Sequence, residues 1–182
     1  MLRRALSLTP SNIAELQDIL IFAIGTVSGA RGISLSFWEV CDFLPQYGQD
    51  PPGTAAMRFF KSKADRRRHG HIARFGCAIN PRFNIITWLL IYMKATGIVK
   101  LHRCTKSKRP SAECKACGPM FRGIDKNGNH VPRGHRDFEL DTHDITAAVR
   151  RVVQKIGENP IYFSSRSLRR GCISAGTNAN VP

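Results

Sequence analysis

Long apolar runs are missing from this sequence. The longest, Ile19–Ile24 and Ile85–Met93, fall well short of the roughly 20 residues a membrane-spanning helix needs. The basic start MLRRALSL is followed by neither an apolar h-region nor a small-residue cleavage site, so no secretory signal is expected. Without one, the six cysteines read as reduced thiols of an intracellular protein, nuclear in a eukaryote and otherwise cytoplasmic. Tyrosine is scarce, with Tyr47, Tyr92 and Tyr162 the full set. No internal repeat appears. Acidic residues are also few: 13 Asp and Glu face 28 Lys and Arg, a formal charge of +15. Such a surplus excludes a basic partner and calls for a polyanion, nucleic acid before an anionic membrane.

What is present is enough for a core: 42% of the 182 residues are hydrophobic, so wholesale disorder is excluded. The length suits one domain. Thr9-Pro10 suits a helix start, and Ile13, Leu16, Ile19, Leu20, Ala23 and Ile24 then recur at helical spacing. A turn at Ser28-Gly29-Ala30 delivers Arg31, and Ile33 to Phe43 reads as a short helix with Leu35, Trp38 and Cys41 inward. Cys77 and Cys172 also have apolar neighbours and read as core thiols.

PQYGQDPPG (45–53) is a loop by composition. The runs Ala55–Lys61 and His71–Ile79, joined by KADRRRHG, predict an antiparallel hairpin. Its basic tip carries Lys63, Arg66, Arg67 and Arg68, and Lys61 ends the strand before it. Lysine and arginine on a hairpin can serve only to block edge-to-edge pairing; a cluster this dense in so basic a chain favours contact with nucleic-acid phosphates. Arg82–Gly97 reads as a helix with Ile85, Trp88, Leu89, Tyr92 and Met93 buried.

LHRCTKSKRPSAECKACG (101–118) has the composition of an inserted segment. Cys114 and Cys117 have CxxC spacing, Cys104 could be a third ligand, and His102, His130 or His135 a fourth. A structural zinc site needs four placed ligands; a second CxxC or HxxxH is missing, so unligated thiols and no cofactor are expected. Asp141-Thr142 caps an amphipathic helix to Ile156, with Ile145, Ala148, Val149, Val152, Val153 and Ile156 as its stripe, and Gly157 stops it. Pro160–Phe163 then reads as extended. Ser164-Ser165 caps a last helix with Leu168, Cys172 and Ile173 inward. On it, Arg166 and Arg169 stand three apart and share a side. The fold class expected is mainly α with a small antiparallel sheet.

In this order the chain resembles the catalytic domain of the tyrosine recombinase (phage integrase) family, from about Thr9 to Pro182. TVSGARGISLSFWEV resembles the family's Thr-Gly-x-Arg-x-x-Glu-Leu element, which implies that Arg31 is the first catalytic arginine. FFKSKADRRRHGHIARF resembles the hairpin carrying the catalytic lysine and matches Lys63, with Lys61 as the alternative. PMF (119–121) and the helix after it match the usual lead-in to the His-x-x-Arg box. RSLRRG resembles that box, with Arg166 at the histidine position and Arg169 as the second catalytic arginine.

The resemblance implies DNA as partner, a homo-oligomer on DNA, and strand breakage and rejoining (DNA recombination and integration) without a metal ion. It also exposes departures. Ser34 stands where the family has an acidic residue. The family's later His/Trp and its tyrosine nucleophile follow the box, whereas Tyr47, Tyr92 and Tyr162 all precede it. The resemblance therefore implies a single partial catalytic domain over 1–182, with a basic insertion at about 100–118. It would be a mobile-element remnant, truncated before its tyrosine and inactive alone. The alternatives are a non-catalytic nucleic-acid-binding module and, behind it, a zinc-dependent interaction protein built on Cys104, Cys114 and Cys117.

Overall fold

The computed structural model describes residues 1–45, 54–59, 71–76, 83–98, 118–125, 127–132, 135 and 138–170. Its organising element is helix α2, Ile13–Ser28, in which Leu16 to Gly25 are buried without a gap. A helix buried all round must be wrapped by neighbours. The short α1 (Leu2–Leu6), α4 (Ile85–Ala95) and α5 (Thr142–Lys155) do this.

α2 starts later than the Thr9-Pro10 pair predicts. Its cap is Asn12, whose side chain accepts the backbone N–H of Glu15 at 2.9 Å, while Glu15 Oε2 accepts from Ser11 N at 3.0 Å. The two bonds satisfy the backbone N–H groups of Glu15 and Ser11 at the helix start. Gly29, left-handed at φ 61°, ends the helix. α3 then covers only Gly32–Ser36. The predicted helix to Phe43 breaks into a 3-10 turn at Val40–Asp42 and a strand, β1, at Phe43–Pro45. The expected inward faces of Leu35, Trp38 and Cys41 are nonetheless buried.

β1 extends the predicted hairpin into a three-stranded antiparallel sheet in the order β1-β2-β3. β2 (Ala55–Phe59) pairs with β3 (His71–Phe75), from Ala55 opposite Phe75 to Phe59 opposite His71. Ala55, Met57 and Phe59 face the core along with Phe75. α5 matches its predicted span, capped by Asp141 and Asp144 in a reciprocal box, and all six residues of its stripe are buried. Each valine or isoleucine among them contributes about 1.5–3 kcal/mol on burial. Pro160–Tyr162 is a 3-10 turn and not extended: Asn159 caps it by accepting from Ile161 N. The last helix, α6, covers 165–170 among the described residues.

Complete burial of α2 puts two of its polar side chains under cover, and both are paired. Asp18 accepts two hydrogen bonds from Arg151 on α5, at 2.6 and 2.8 Å. Burial still pushes its carboxyl above the usual range, against the pull of the guanidinium. Gln17 Oε1 accepts from the Tyr92 hydroxyl at 2.5 Å and from Arg122 N at 3.2 Å, while its Nε2 donates to Arg122 O at 2.9 Å. With its hydroxyl proton given to Gln17, Tyr92 accepts at 2.9 Å from His130 Nε2. That assignment leaves Nδ1 as the unprotonated nitrogen, and it is buried without a partner.

Protonating His130 would strand a charged N–H there. Burial, and secondarily the Arg122 cation, lower its pKa from 6.5 to about 4. A depressed folded pKa means that the unfolded chain takes up the proton first. The stability held by this residue is therefore full above pH 6.5 and is lost as pH falls toward 4. Urea unfolding at pH 7 and 4.5 is expected to show a loss in the parent that exceeds the loss in His130→Gln by about 2 kcal/mol. Equal losses in the two would contradict the buried neutral imidazole.

Among the described residues no helix is long and apolar enough to cross a membrane, and no cluster of three or more His, Cys, Asp or Glu side chains could hold a metal ion. Cys77, Cys104, Cys114, Cys117, Cys172, Ile173 and His102 lie outside the described residues.

Candidate functional site

Arg31 sits at the junction of α2 and α3. The left-handed Gly29 turns the chain, and Arg31 follows in extended geometry (φ −77°, ψ 153°) as the residue preceding α3. Its side chain is half-buried.

α6 approaches the same junction from the other end of the chain. Gly157, at φ 79°, ends α5, and the chain doubles back along that helix. Arg150 on α5 donates through Nε to Phe163 O at 3.1 Å, and Ser165 N donates to Thr146 Oγ1 at 3.3 Å. These contacts bring the start of α6 to the first turns of α5. Ser164 Oγ accepts from Arg166 N, and Ser167 Oγ accepts from Ser164 N, so the serine pair caps the helix as its sequence predicts.

Leu168 anchors α6. It is 3% exposed and packs where α2 and α3 meet: a β-carbon on Gly25 would lie 2.4 Å from Leu168 Cδ1 and 3.0 Å from Leu35 Cδ1. With Leu168 inward, Arg166, Arg169 and Arg170 are exposed. A second close approach is between Gly32 and Ser165. A β-carbon on Gly32 would lie 2.6 Å from both Cβ and Oγ of Ser165, and 3.3 Å from Thr142 Cγ2. The residue after Arg31 thus touches the residue before Arg166. The segments that carry Arg31 and Arg166, 135 positions apart in the chain, therefore meet. Among the described residues, neither the Arg31, Arg166 nor Arg169 guanidinium forms an ion pair.

Planar, permanently charged guanidiniums bind phosphate oxygens in bidentate fashion, so arginines carried on adjoining segments suit an anionic ligand. Carboxylates also stand near this junction: Asp141 and Asp144, on either side of Thr142, line a cleft of about 840 Å³ between α2, α5 and the 123–141 segment together with Asp18, Asp125, Glu139 and Arg151.

Lys61, Lys63, Arg66, Arg67 and Arg68 lie outside the described residues, as does Tyr47; the strands flanking the basic segment, β2 and β3, are in place. Tyr92 is fully buried, and burial raises its hydroxyl pKa well above the ordinary value. That hydroxyl belongs to the core network and is no nucleophile. Tyr162 is the opposite case, 79% exposed on the turn ahead of α6. Two participants were not singled out from sequence. Gly32 had a visible signal, a glycine directly after the candidate arginine. Thr146, which receives Ser165 N, had none, since it lies on the polar margin of an amphipathic helix.

No protein-family model matches the chain, nor does any curated protein. Among solved structures it is similar to the XerH site-specific recombinase bound to difH substrate in a pre-cleavage complex. The TM-score is 0.58 at 14% identity over 98% of this chain. It is also similar to the post-cleavage complex of the same recombinase with palindromic difH substrate, with TM-score 0.60 at 13% identity over 98% of this chain. In both, the chain spans 40% of the recombinase's length. The fold, mainly helical with a small three-stranded antiparallel sheet, is thus the tyrosine recombinase fold.

Proposed function

We propose that this chain is a recombinase-type catalytic domain that binds DNA and holds one backbone phosphate between Arg31 and the α6 arginines. The observation that supports the reading is the contact of Gly32 with Ser165, which joins the segment carrying Arg31 to the start of α6, where Arg166 is exposed. The likeness to recombinase structures that contain DNA supports the same reading, as does the formal charge of +15.

The chemistry that suits this arrangement is transesterification at phosphorus. A tyrosine hydroxyl attacks the phosphodiester, the P–O5′ bond breaks, and a 3′-phosphotyrosyl ester keeps the bond energy. Negative charge builds on the non-bridging oxygens in the transition state, and Arg31 and Arg169 would stabilise it. Lys63 would give its proton to the departing 5′ oxygen. Arg166 can donate hydrogen bonds where the resembled family keeps a histidine, but a permanently charged guanidinium is a poor proton shuttle. In the resembled motif order the nucleophile follows the box, whereas Tyr47, Tyr92 and Tyr162 all precede it, so the attacking hydroxyl would come from another tyrosine. On this reading residues 1–182 bind DNA without cleaving it.

Two measurements test this. Duplex affinity should fall steeply with salt, as counterion release by phosphate contacts requires; salt-insensitive binding would remove the phosphate site. Incubation with nicked suicide substrates should give no covalent protein–DNA adduct, and an adduct would overturn the assignment of the nucleophile. A non-catalytic DNA-binding module is the second reading, favoured by Ser34 and Arg166 at positions where the resembled motif has an acid and a histidine.

A further inference from the structure

We infer that Gly32 is a positioning residue of the phosphate site, present because any side chain there would separate Arg31 from α6. The inference rests on the phosphate-site reading above.

Gly32 does not owe its identity to backbone conformation. The described glycines with positive φ are Gly29, Gly97, Gly118, Gly128 and Gly157, so an L-residue fits its dihedrals. Space is what is lacking. The 2.6 Å approach to Ser165 involves Cβ as well as Oγ. A β-carbon is one bond from the backbone, so it cannot swing aside as the end of a long side chain can. Ser165 is itself held on two sides: its backbone N–H donates to Thr146 Oγ1 at 3.3 Å, and Leu168, one turn on, is buried against α2 and α3. Thr142 Cγ2, at 3.3 Å, closes the remaining direction.

A methyl group at Gly32 would therefore push α3 and α6 apart as units, and it acts where Arg31 and Arg166 flank the contact. A displacement of about 1 Å is enough to spoil bidentate geometry on a shared phosphate. The fold would survive, since Leu168 and Leu35 keep their burial; the spacing of the cations would not.

The experiment compares Gly32→Ala, Ser165→Gly and the double variant Gly32→Ala/Ser165→Gly with the parent, Arg31→Ala and Arg169→Ala. Duplex affinity is measured against salt and the fold is followed by circular dichroism. Gly32→Ala is expected to bind about tenfold more weakly, with a salt slope lower by about one phosphate contact. A merely structural role would reduce the active fraction and leave that slope unchanged. The double variant, which removes the atoms the new methyl strikes, should return to within about twofold of the parent.

Parent-like binding by Gly32→Ala, while Arg31→Ala and Arg169→Ala are weakened, would overturn the positioning role and leave the phosphate site standing. Parent-like binding by the two arginine variants would remove the phosphate site itself. Failure of the double variant to recover would also overturn the inference, because the Ser165 contact would not be the cause. If Gly32→Ala does not fold, Ser165→Thr narrows the same gap from the other side. It is expected to lower affinity and salt slope in the same sense, and parent-like values would refute the role.

Discussion

Converting both Arg31 and Arg169 to glutamate is expected to weaken duplex binding by about two orders of magnitude near 0.1 M salt. Each phosphate contact contributes about 0.9 to the slope of log K against log salt. At 0.1 M, each contact is therefore worth close to one decade of affinity. Two lost contacts amount to about 10²-fold, and the reversed charges add repulsion. The salt slope should fall by about 2 in the same titration. Both side chains belong to the surface or its margin and form no ion pair among the described residues, so the fold should stay intact. A reversal of Arg3, on α1 far from the site in sequence, separates a specific contact from loss of general charge. A loss at Arg3 equal to half that of the double variant, in log units, would place Arg31 and Arg169 among ordinary surface cations.

Replacing Trp38 by alanine is expected to lower folding stability by about 4 kcal/mol. Trp38 is 1% exposed and lies between β2 and the 118–121 segment. Its ring centroid is 5.8 Å from that of Phe59 and 5.5 Å from that of Phe121. Its backbone joins the same elements, with Met120 N donating to Trp38 O at 2.8 Å and Val40 N to Gly118 O at 3.2 Å. Truncation leaves a cavity where α3 hands over to the sheet, and rigid aromatic walls collapse poorly. Against a total of about 5–15 kcal/mol for a domain, this is a large fraction. Urea unfolding should show the midpoint fall with its slope unchanged. Trp38→Phe should cost much less, because the Trp38 Nε1–H is buried without an acceptor and its loss removes a penalty. A Trp38→Ala protein as stable as the parent would contradict the packing described.

Much of this architecture was legible in the chain because its signals are local. The period of α5 and its Asp141 cap, the glycine stop at Gly157, the paired runs of the hairpin and the serine cap of α6 each depend on residues within a few positions. The misread stretches are those in which a distant partner decides. Phe43–Pro45 becomes a strand because β2 offers it an edge, with Phe43 opposite Met57. Nothing in the run from Ile33 to Phe43 announces this. α2 shows a one-sided stripe in sequence, yet it is buried all round because α1, α4 and α5 surround it.

The same division runs through the candidate site. The sequence by itself determined the charge excess, the identity of the candidate arginines and the helix start that carries Arg166 and Arg169. It left Arg31 and Arg169 as residues of separate motifs, since no local rule measures the distance between them. Tertiary structure alone decided that the two motifs meet. They meet because Leu168 is buried against α2 and α3 and because Gly32 has no β-carbon to hold Ser165 away. The buried place of Tyr92 follows from its helical spacing; the partners of its hydroxyl, Gln17 and His130, it reaches only across the fold. Side-chain chemistry is written residue by residue, but the meeting of the two segments that carry these arginines comes from packing between elements far apart in the chain.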